Sequence, residues 1–278
     1  MSGAHKIAVL QMRSGLDPRA NAAFMADAAG EAARNGATMM FTPEMSGLVD
    51  RDRKRAAESI RREEDDQVLA RMREAARENA TWIAIGSLAI DKGEGRWANR
   101  AFVIDDRGEI VASYDKLHMF DVELGDGDDW RESNAYDAGD AIAVVDTPVG
   151  RLGLTICYDI RFPALYDALG RARCDIIAIP AAFTVPTGKE HWHVMQRARA
   201  IEASAYVVAA AQCGHHEDGR RTFGHSLVVD PWGEVLLDLG EDGSGLGYAT
   251  IDRNRIEEVR GRLPSLANRR AIPDLPPR

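Results

Sequence analysis

Cys157 stands between an apolar run and a predicted helix, a position that suggests chemistry. The run 152–156 precedes it, and Pro163 suits the first turn of a helix. A strand-to-helix turn can expose a thiol, and a helix N-terminus with a nearby cation would lower the pKa of that thiol toward the reactive thiolate. Free cysteine is also a common core residue. Position alone therefore leaves a core role open, which is the role expected for Cys174 and Cys213.

Lys116 and Glu44 also follow apolar runs, at 109–114 and 38–42. An ammonium is a compact charge that can stabilise a developing oxyanion. A carboxylate beside a lysine and a thiol can take the proton of the thiol and later deliver one to a leaving amine. Taken singly, either residue could instead be a surface ion-pair partner.

Short apolar runs alternate with charge-rich amphipathic stretches, which predicts an α/β fold to position these residues. Strands are predicted at 7–12, 38–42, 82–90, 100–105, 109–114, 141–146, 153–156, 176–179, 206–211, 226–229 and 247–251. Helices are predicted at 20–34, at 51–80 in one or two pieces, at 163–172 and at 188–204. A long surface loop is expected at 120–140 and an irregular arm from residue 263. No linker interrupts this pattern, so one domain, 1–270, is predicted, with a tail at 271–278.

Composition narrows the function classes. The chain has 278 residues and a formal net charge of −9, which disfavours nucleic acid and anionic membranes as partners. Three cysteines without a CxxC spacing argue against a disulfide framework or a zinc ribbon. No apolar segment reaches the roughly 20 residues that span a bilayer, and the N-terminal segment lacks the apolar stretch of a secretory signal. A cytoplasmic location is therefore expected.

Three segments, taken in order, carry a resemblance to a known family. Phe41-Thr42-Pro43-Glu44, the stretch 114–121 (YDKLHMFD) and the stretch 156–163 (ICYDIRFP) resemble the glutamate, lysine and cysteine motifs of the nitrilase superfamily of carbon–nitrogen hydrolases. The resemblance extends from Ile7 to about Arg270. It implies a four-layer α-β-β-α sandwich in a single domain.

The resemblance also implies a role for each residue. Glu44 would be the general base, Lys116 the oxyanion stabiliser and Cys157 the nucleophile that forms a thioester. The backbone N–H of Tyr158 would be a second oxyanion donor. Glu132, in Arg131-Glu132-Ser133, matches the second glutamate of the family and would position Lys116 and the substrate.

The segments 181–202 and 209–233 resemble the Nit branch of the superfamily. This implies an amidase for a small carboxylate-bearing amide, such as deaminated glutathione or a similar 2-oxo acid amide. Such a substrate needs a cation near the pocket, for which Arg161 is the candidate, with Arg197 and Arg199 as alternatives. Further residues predicted to bind substrate are Tyr158, His118, Phe183 and Thr184. Family members typically pair through the helix around 197–202 and the C-terminal arm, which implies a homodimer or a higher homo-oligomer.

Other functions stay open at this point. The chain could be an omega-amidase for 2-oxoglutaramate, an aliphatic amidase, an N-carbamoyl amidase, or a catalytically idle binding protein. A metal-dependent hydrolase built on histidines is a further alternative, since histidine is the commonest metal ligand. The four candidate histidines are His191, His193, His215 and His216. Their HxH and HH spacings occur often without metal and lack a recognised acidic partner, so neither a metal nor a cofactor is expected.

Overall fold

The computed structural model describes residues 3–123 and 130–273. Its strands are β1 Ala4–Gln11, β2 Met39–Phe41, β3 Trp82–Gly93, β4 Arg96–Ile104, β5 Ile110–Asp115, β6 Asp121–Val122, β7 Trp130–Arg131, β8 Val144–Thr147, β9 Gly150–Leu154, β10 Ile176–Ala178, β11 Tyr206–Ala209, β12 Cys213–His215, β13 Arg221–Phe223, β14 Leu227–Val229, β15 Val235–Asp238 and β16 Gly245–Asp252. Its helices are α1 Pro18–Arg34, α2 Arg53–Ala57, α3 Gln67–Asn79, α4 Pro163–Arg171, α5 Val185–Ala203 and α6 Arg253–Arg262.

Two six-stranded sheets form the centre of the molecule. The first has the order β16-β1-β2-β3-β4-β5 and the second the order β15-β14-β11-β10-β9-β8. Helices α1 and α3 pack on the outer face of the first sheet, and α4 and α5 pack on the second. The predicted four-layer α-β-β-α sandwich is confirmed.

The alternation of side chains along β1 shows how the layers are held together. Ile7 and Val9 belong to the core between the two sheets, whereas Ala8 and Leu10 pack with α1 and α3. Successive side chains of a strand point to opposite faces. A strand covered on both faces therefore reads as a continuous apolar run, which is the pattern that predicted these strands.

Helix boundaries follow local capping chemistry. The Asp17 carboxylate accepts the amide of Arg19 at the start of α1, and Asp66 accepts the amide of Leu69 at the start of α3. Pro163 occupies the first turn of α4, as expected. Gly36, with φ of +76°, follows the end of α1, where a left-handed backbone favours glycine.

The structure corrects several predicted elements. The region 51–80 is helical only in α2, in α3 and in a 3₁₀ turn at Glu63–Asp65. The loop predicted at 120–140 contains the β6–β7 pair and a 3₁₀ turn at Glu132–Asn134. The short strands β12, β13 and β15 and the helix α6 were missed, because three or four residues carry too little periodicity and α6 has only two buried apolar residues.

Two segments of predicted interest lie outside the described residues. These are the acidic part of the loop, 124–129, and most of the tail, 274–278. The division into a domain at 1–270 and a tail at 271–278 stays a prediction. Among the described helices, none is both long enough and apolar enough to cross a membrane.

Candidate active site

Three strand ends bring the predicted reactive residues together. Glu44 follows β2, Lys116 follows β5 directly, and Cys157 lies shortly after β9. In the first sheet β2 and β3 are parallel, and β4 is antiparallel to both β3 and β5. The carboxyl ends of β2 and β5 therefore lie at the same end of that sheet.

Gly86 in β3 permits the two sheets to approach closely at this end of the first sheet. A Cβ at this position would lie 2.2 Å from the Thr42 carbonyl oxygen, 2.4 Å from that of Pro43 and 2.5 Å from Cβ of Pro180. The first two residues lead into the glutamate-bearing turn, and the Pro180 carbonyl accepts the amide of Cys157 at 2.8 Å. Any side chain at Gly86 would therefore push the two halves of the site apart.

Lys116 is buried between two carboxylates. Its Nζ lies 2.9 Å from Oε1 of Glu44 and 2.9 Å from Oε2 of Glu132, and only 2% of the residue is exposed. The amide of Phe120 also donates to Oε2 of Glu132, at 2.7 Å. A buried charge is tolerated only when it is paired and hydrogen-bonded, and this arrangement meets that condition. The structure thus brings together Glu44, Lys116 and Glu132.

Asn99, which the sequence analysis missed, bridges the same two carboxylates. Its Nδ2 donates to Oε1 of Glu44 and to Oε1 of Glu132, both at 3.0 Å. Its backbone carbonyl oxygen accepts the amide of Lys116. Its side-chain oxygen is buried without a hydrogen-bond partner among the described residues. Asn99 therefore holds two like charges in place at the expense of one unsatisfied acceptor.

Cys157 begins a five-residue 3₁₀ helix, Cys157–Arg161, that leads into α4. Its backbone has φ of +47°, a left-handed conformation that costs a residue other than glycine on the order of 1–3 kcal/mol. Strain of this kind is found where a tight turn presents a nucleophile. The predicted strand-to-helix junction is confirmed.

The Glu44 carboxylate has hydrogen-bond donors on both of its oxygens and lies beside the thiol. While Oε1 binds Lys116 and Asn99, Oε2 accepts the amide of Ala182 at 2.8 Å. The Cys157 thiol lies near enough to the Glu44 carboxylate for each group to influence the pKa of the other. Both oxygens are thus held by fixed donors, and the carboxylate is in a position to accept the proton of the neighbouring thiol.

Burial and pairing set the charges of this cluster. Burial raises the pKa of Glu44, but the charge of Lys116 and its hydrogen bond outweigh that effect, so the pKa lies below the usual value of a glutamate. Burial likewise lowers the pKa of Lys116, and the charges of Glu132 and Glu44 outweigh it and raise the pKa well above its usual value. These directions indicate an ionised Glu44 beside a charged Lys116.

The thiol behaves differently from the sequence-based expectation. Burial and the neighbouring charge of Glu44 raise the pKa of Cys157 well above its usual value, and the opposing charge of Lys116 does not compensate. The expectation of a lowered pKa was wrong, because it counted a helix end and a cation but not the carboxylate or the burial. Cys157 is therefore a neutral thiol, and the Glu44 carboxylate beside it is the group that can accept its proton.

Asp159 connects the cysteine turn to the lysine segment. The Asp159 carboxylate accepts the amide of Ile156 at 2.9 Å and the hydroxyl of Tyr114 at 2.7 Å. Its other oxygen accepts the amide of His118 at 3.1 Å and lies 2.7 Å from Nδ1 of the same residue. The ring of His118 also stacks on Phe162 at 3.6 Å. The structure thus gives His118, which was predicted to bind substrate, a contact that joins two site-bearing segments.

The other predicted substrate-binding residues form one neighbourhood. The guanidinium of Arg161 lies over the rings of Tyr158 and Phe183, at 5.8 and 5.4 Å, and contacts Nδ1 of His191 at 3.3 Å. Phe183 follows Ala182, which donates to Glu44. Among the described residues, Arg161 has no carboxylate partner, so it is a cation available to an anionic ligand close to the thiol turn.

Thr184, Arg197 and Arg199 have local partners instead. Thr184 is the residue before α5, and its hydroxyl pairs with that of Thr187 at 2.7 Å. Arg197 donates to the carbonyl of Gly233. Arg199 pairs with Glu202 and donates to the carbonyl of Ile160. The two further arginine candidates therefore stabilise the fold around α5.

The four histidines considered as a metal site do not come together. His191 contacts Arg161, and His216 lies between the carbonyl of Ser14 and the hydroxyl of Thr222. His193 pairs with Asp238, and His215 is exposed. The HxH and HH spacings therefore create no shared site among the described residues.

Gln212 is a further residue that the sequence analysis missed. Its Nε2 donates to the Glu44 carbonyl at 3.0 Å and to the Ser14 hydroxyl at 2.7 Å, and its Oε1 accepts the Ser14 amide. It thereby fixes the turn that carries Glu44 from the segment that follows β11, a strand of the second sheet. A lone glutamine after an apolar run gives no sequence signal for this contact. For Asp159, its place inside the cysteine motif could have been such a signal.

Comparisons with known proteins agree with this geometry. The family model described as carbon-nitrogen hydrolase matches residues 6–261. A deaminated glutathione amidase of Yersinia enterocolitica is 37% identical over 98% of this chain and 95% of its own length. The crystal structure of C. elegans NitFhit superposes with a TM-score of 0.88 at 37% identity, over 97% of this chain and 66% of that one.

A third relative has been seen with a covalent group on its active-site cysteine. A variant of the Nesterenkonia sp. AN1 amidase superposes with a TM-score of 0.81 at 26% identity, over 96% of this chain and 95% of that one. In that structure the acetamide moiety of fluoroacetamide is covalently added at the active-site cysteine.

Proposed function

Because the chain belongs to the carbon-nitrogen hydrolase family, and is a hydrolase of carbon–nitrogen bonds, we propose that it cleaves a small carboxylate-bearing amide through a thioester on Cys157. The proposed substrate is deaminated glutathione or a similar 2-oxo acid amide. The observation that supports the mechanism is the position of Glu44, which binds the buried ammonium of Lys116 at 2.9 Å and lies beside the Cys157 thiol, whose pKa its charge raises.

The first half of the proposed reaction forms the thioester. Glu44 takes the proton of the Cys157 thiol as sulfur attacks the amide carbonyl carbon. The negative charge that develops on the carbonyl oxygen is stabilised by the Lys116 ammonium and by the backbone N–H of Tyr158. That N–H lies in the first turn of the 3₁₀ helix, where the helix offers no acceptor. Glu44 then protonates the departing nitrogen, the carbon–nitrogen bond breaks and the amine leaves.

The second half consumes water. Glu44 removes a proton from a water molecule as its oxygen attacks the thioester carbonyl, and the proton then returns to the departing sulfur. The products are a carboxylic acid and the starting thiol. Glu132 and Asn99 hold Lys116 and Glu44 in place through both halves. The cycle as proposed needs no cofactor.

Substrate choice can be tested with a panel of amides. We expect release of the amine from deaminated glutathione, with weaker turnover of 2-oxoglutaramate, simple aliphatic amides and N-carbamoyl amino acids. Preference for 2-oxoglutaramate would reassign the chain as an omega-amidase. Inactivity toward all of these amides and the matching nitriles would overturn the proposal and favour an idle binding protein.

Arg161 should bind the substrate carboxylate. We expect Arg161→Gln to lower kcat/KM for the carboxylate-bearing amide by about 10- to 100-fold, the effect of losing one hydrogen bond to a charged group. Turnover of an uncharged amide of similar length should change little. Arg197→Gln serves as the matched control, since Arg197 binds the Gly233 carbonyl. Equal losses on charged and uncharged amides would contradict the assignment.

Asn99 should influence the pH dependence of kcat/KM for amide hydrolysis. The reaction needs an ionised Glu44, whose pKa is lowered from 4.5, so kcat/KM should fall only as the pH drops through a value below 4.5. Asn99→Ala removes a hydrogen-bond donor to Glu44 and should move this acid limb to higher pH with little change in KM. Asn134→Ala, at an exposed position, is the control. An unshifted acid limb in Asn99→Ala would contradict this role.

We also propose a homodimer formed through the outer face of α5. Val194 and Ile201 on α5 are exposed, as are Trp232 and Leu236 of the β14–β15 hairpin. The hairpin adjoins α5, since Arg197 donates to the Gly233 carbonyl, so these residues form one apolar patch. Light scattering should give a dimer for the wild type and a monomer for Ile201→Asp. Val111→Asp, on an exposed edge strand, should leave the dimer intact, and a monomeric wild type would contradict the proposal.

A further inference from the structure

Two histidines and one aspartate converge away from the thiol cluster. His193 lies on α5, His225 in the turn after β13, and Asp238 at the end of β15. Nε2 of His193 is 2.9 Å from Oδ2 of Asp238, and Nδ1 of His225 is 2.8 Å from Oδ1. Their potential ligand atoms all lie within 4.8 Å of one another. No short sequence motif links these residues, because they come from three separate elements.

The backbone around the cluster holds its side chains in place. The amide of Gly240 donates to Oδ1 of Asp238 at 2.9 Å, and the amide of His225 donates to the Gly240 carbonyl at 2.7 Å. Trp192 Nε1 donates to the His225 carbonyl, and the His225 ring stacks on Phe223 at 4.5 Å. His225 adopts φ of +53°, a strained conformation that these contacts maintain. Support of this kind is what orients the ligands in metal sites.

We propose that His193, His225 and Asp238 bind a divalent transition metal of the zinc class. Imidazole nitrogen and carboxylate oxygen suit such an ion, which takes three protein ligands and completes its shell with water. Metal–ligand bonds of about 2.0–2.2 Å place neighbouring ligand atoms roughly 3.4 Å apart. The cluster reaches that spacing by small side-chain rotations. To bind the metal, Nε2 of His193 and Nδ1 of His225 must carry no proton, so each neutral imidazole carries its proton on the other ring nitrogen.

The site is linked to the thiol cluster through Phe183. Trp192, next to His193, packs on Phe183 at 5.0 Å, and the amide of Phe223 donates to the Phe183 carbonyl. Phe183 follows Ala182, which donates to Glu44. A bound metal would therefore cross-link α5 to the end of β15 and stiffen the segment around Phe183, without contact to the reacting atoms. The inference departs from the sequence-based expectation of no metal, which considered neither His225 nor Asp238.

The test uses full-length protein stripped with a chelator and dialysed. Zn²⁺ binding is measured by calorimetry and Co²⁺ binding by visible absorption, with thermal unfolding as an independent readout. We expect one equivalent to bind to the wild type and raise its Tm. His193→Gln, on the partly exposed face of α5, should weaken binding about 10- to 100-fold or more and abolish the rise in Tm. Asp238→Asn is a second variant that preserves side-chain shape.

Two controls separate this site from other metal-binding groups. His215→Asn removes an exposed histidine outside the cluster, and Cys157→Ser removes the reactive thiol; both should bind metal like the wild type. Absence of stoichiometric binding to the wild type would overturn the proposal. So would unchanged affinity in both His193→Gln and Asp238→Asn, or loss of binding in Cys157→Ser, which would place the metal on the thiol.

Discussion

Cys157→Ala is expected to lower kcat for amide hydrolysis by about 10⁶, the scale of loss when the nucleophile of a hydrolase is removed. The reason is that no other group in the cluster can form the acyl intermediate: Glu44 and Glu132 are held by Lys116, and the Lys116 ammonium has no free electron pair. Release of the amine is the measurement, and substrate affinity should persist because the surrounding contacts remain.

The matched control for Cys157→Ala is another buried cysteine. Cys213 is fully buried and contacts Ser244 rather than the cluster. Cys213→Ala should keep kcat within a few-fold of the wild type. If Cys157→Ala retained activity within tenfold of the wild type, the thioester route would be wrong.

Glu44→Gln should have the second-largest effect. A glutamine keeps the shape of the side chain but cannot take the proton of the thiol, and general acid–base catalysis contributes about 10²–10⁴ in rate. We expect kcat to fall by that factor. The fold should persist, because Lys116 keeps Glu132 as its charged partner, and a thermal unfolding curve checks this point.

Glu132→Gln is the matched comparison for the loss of rate in Glu44→Gln. Both variants remove one carboxylate from the same ammonium, but Oε2 of Glu44 is bound to Ala182 beside the thiol, whereas Oε2 of Glu132 is bound to Phe120. Glu132→Gln should therefore slow the reaction less. Equal losses would mean that Glu44 contributes only charge, and its role as the proton acceptor would be wrong.

The sequence predicted the layers, and it singled out the three candidate residues, for identifiable reasons. Strands covered on both faces have continuous apolar runs, and the residues after three of those runs, Glu44, Lys116 and Cys157, belong to motifs with a fixed order. Strand ends are predictable from such patterns, so the location of the site was accessible.

The remaining features of the two sites depend on contacts between residues that are far apart in the sequence. Asn99 lies one residue before the predicted strand 100–105 and has no local signal for bridging two carboxylates. The raised pKa of Cys157 depends on burial and on the position of Glu44, and neither can be read from the flanking residues. His225 and Asp238 meet His193 only because β13 and β15 lie beside α5, and the sequence analysis missed both strands.

The most direct test of the proposed mechanism is to trap the acyl group during turnover. The wild type is mixed with deaminated glutathione, quenched in acid during the first turnovers, digested and analysed by mass spectrometry. A parallel reaction contains hydroxylamine, which captures a thioester as a hydroxamate. The mechanism predicts the acyl group on the peptide that contains Cys157, together with hydroxamate product. Turnover with neither product, or with the acyl group on Cys174 or Cys213, would contradict it.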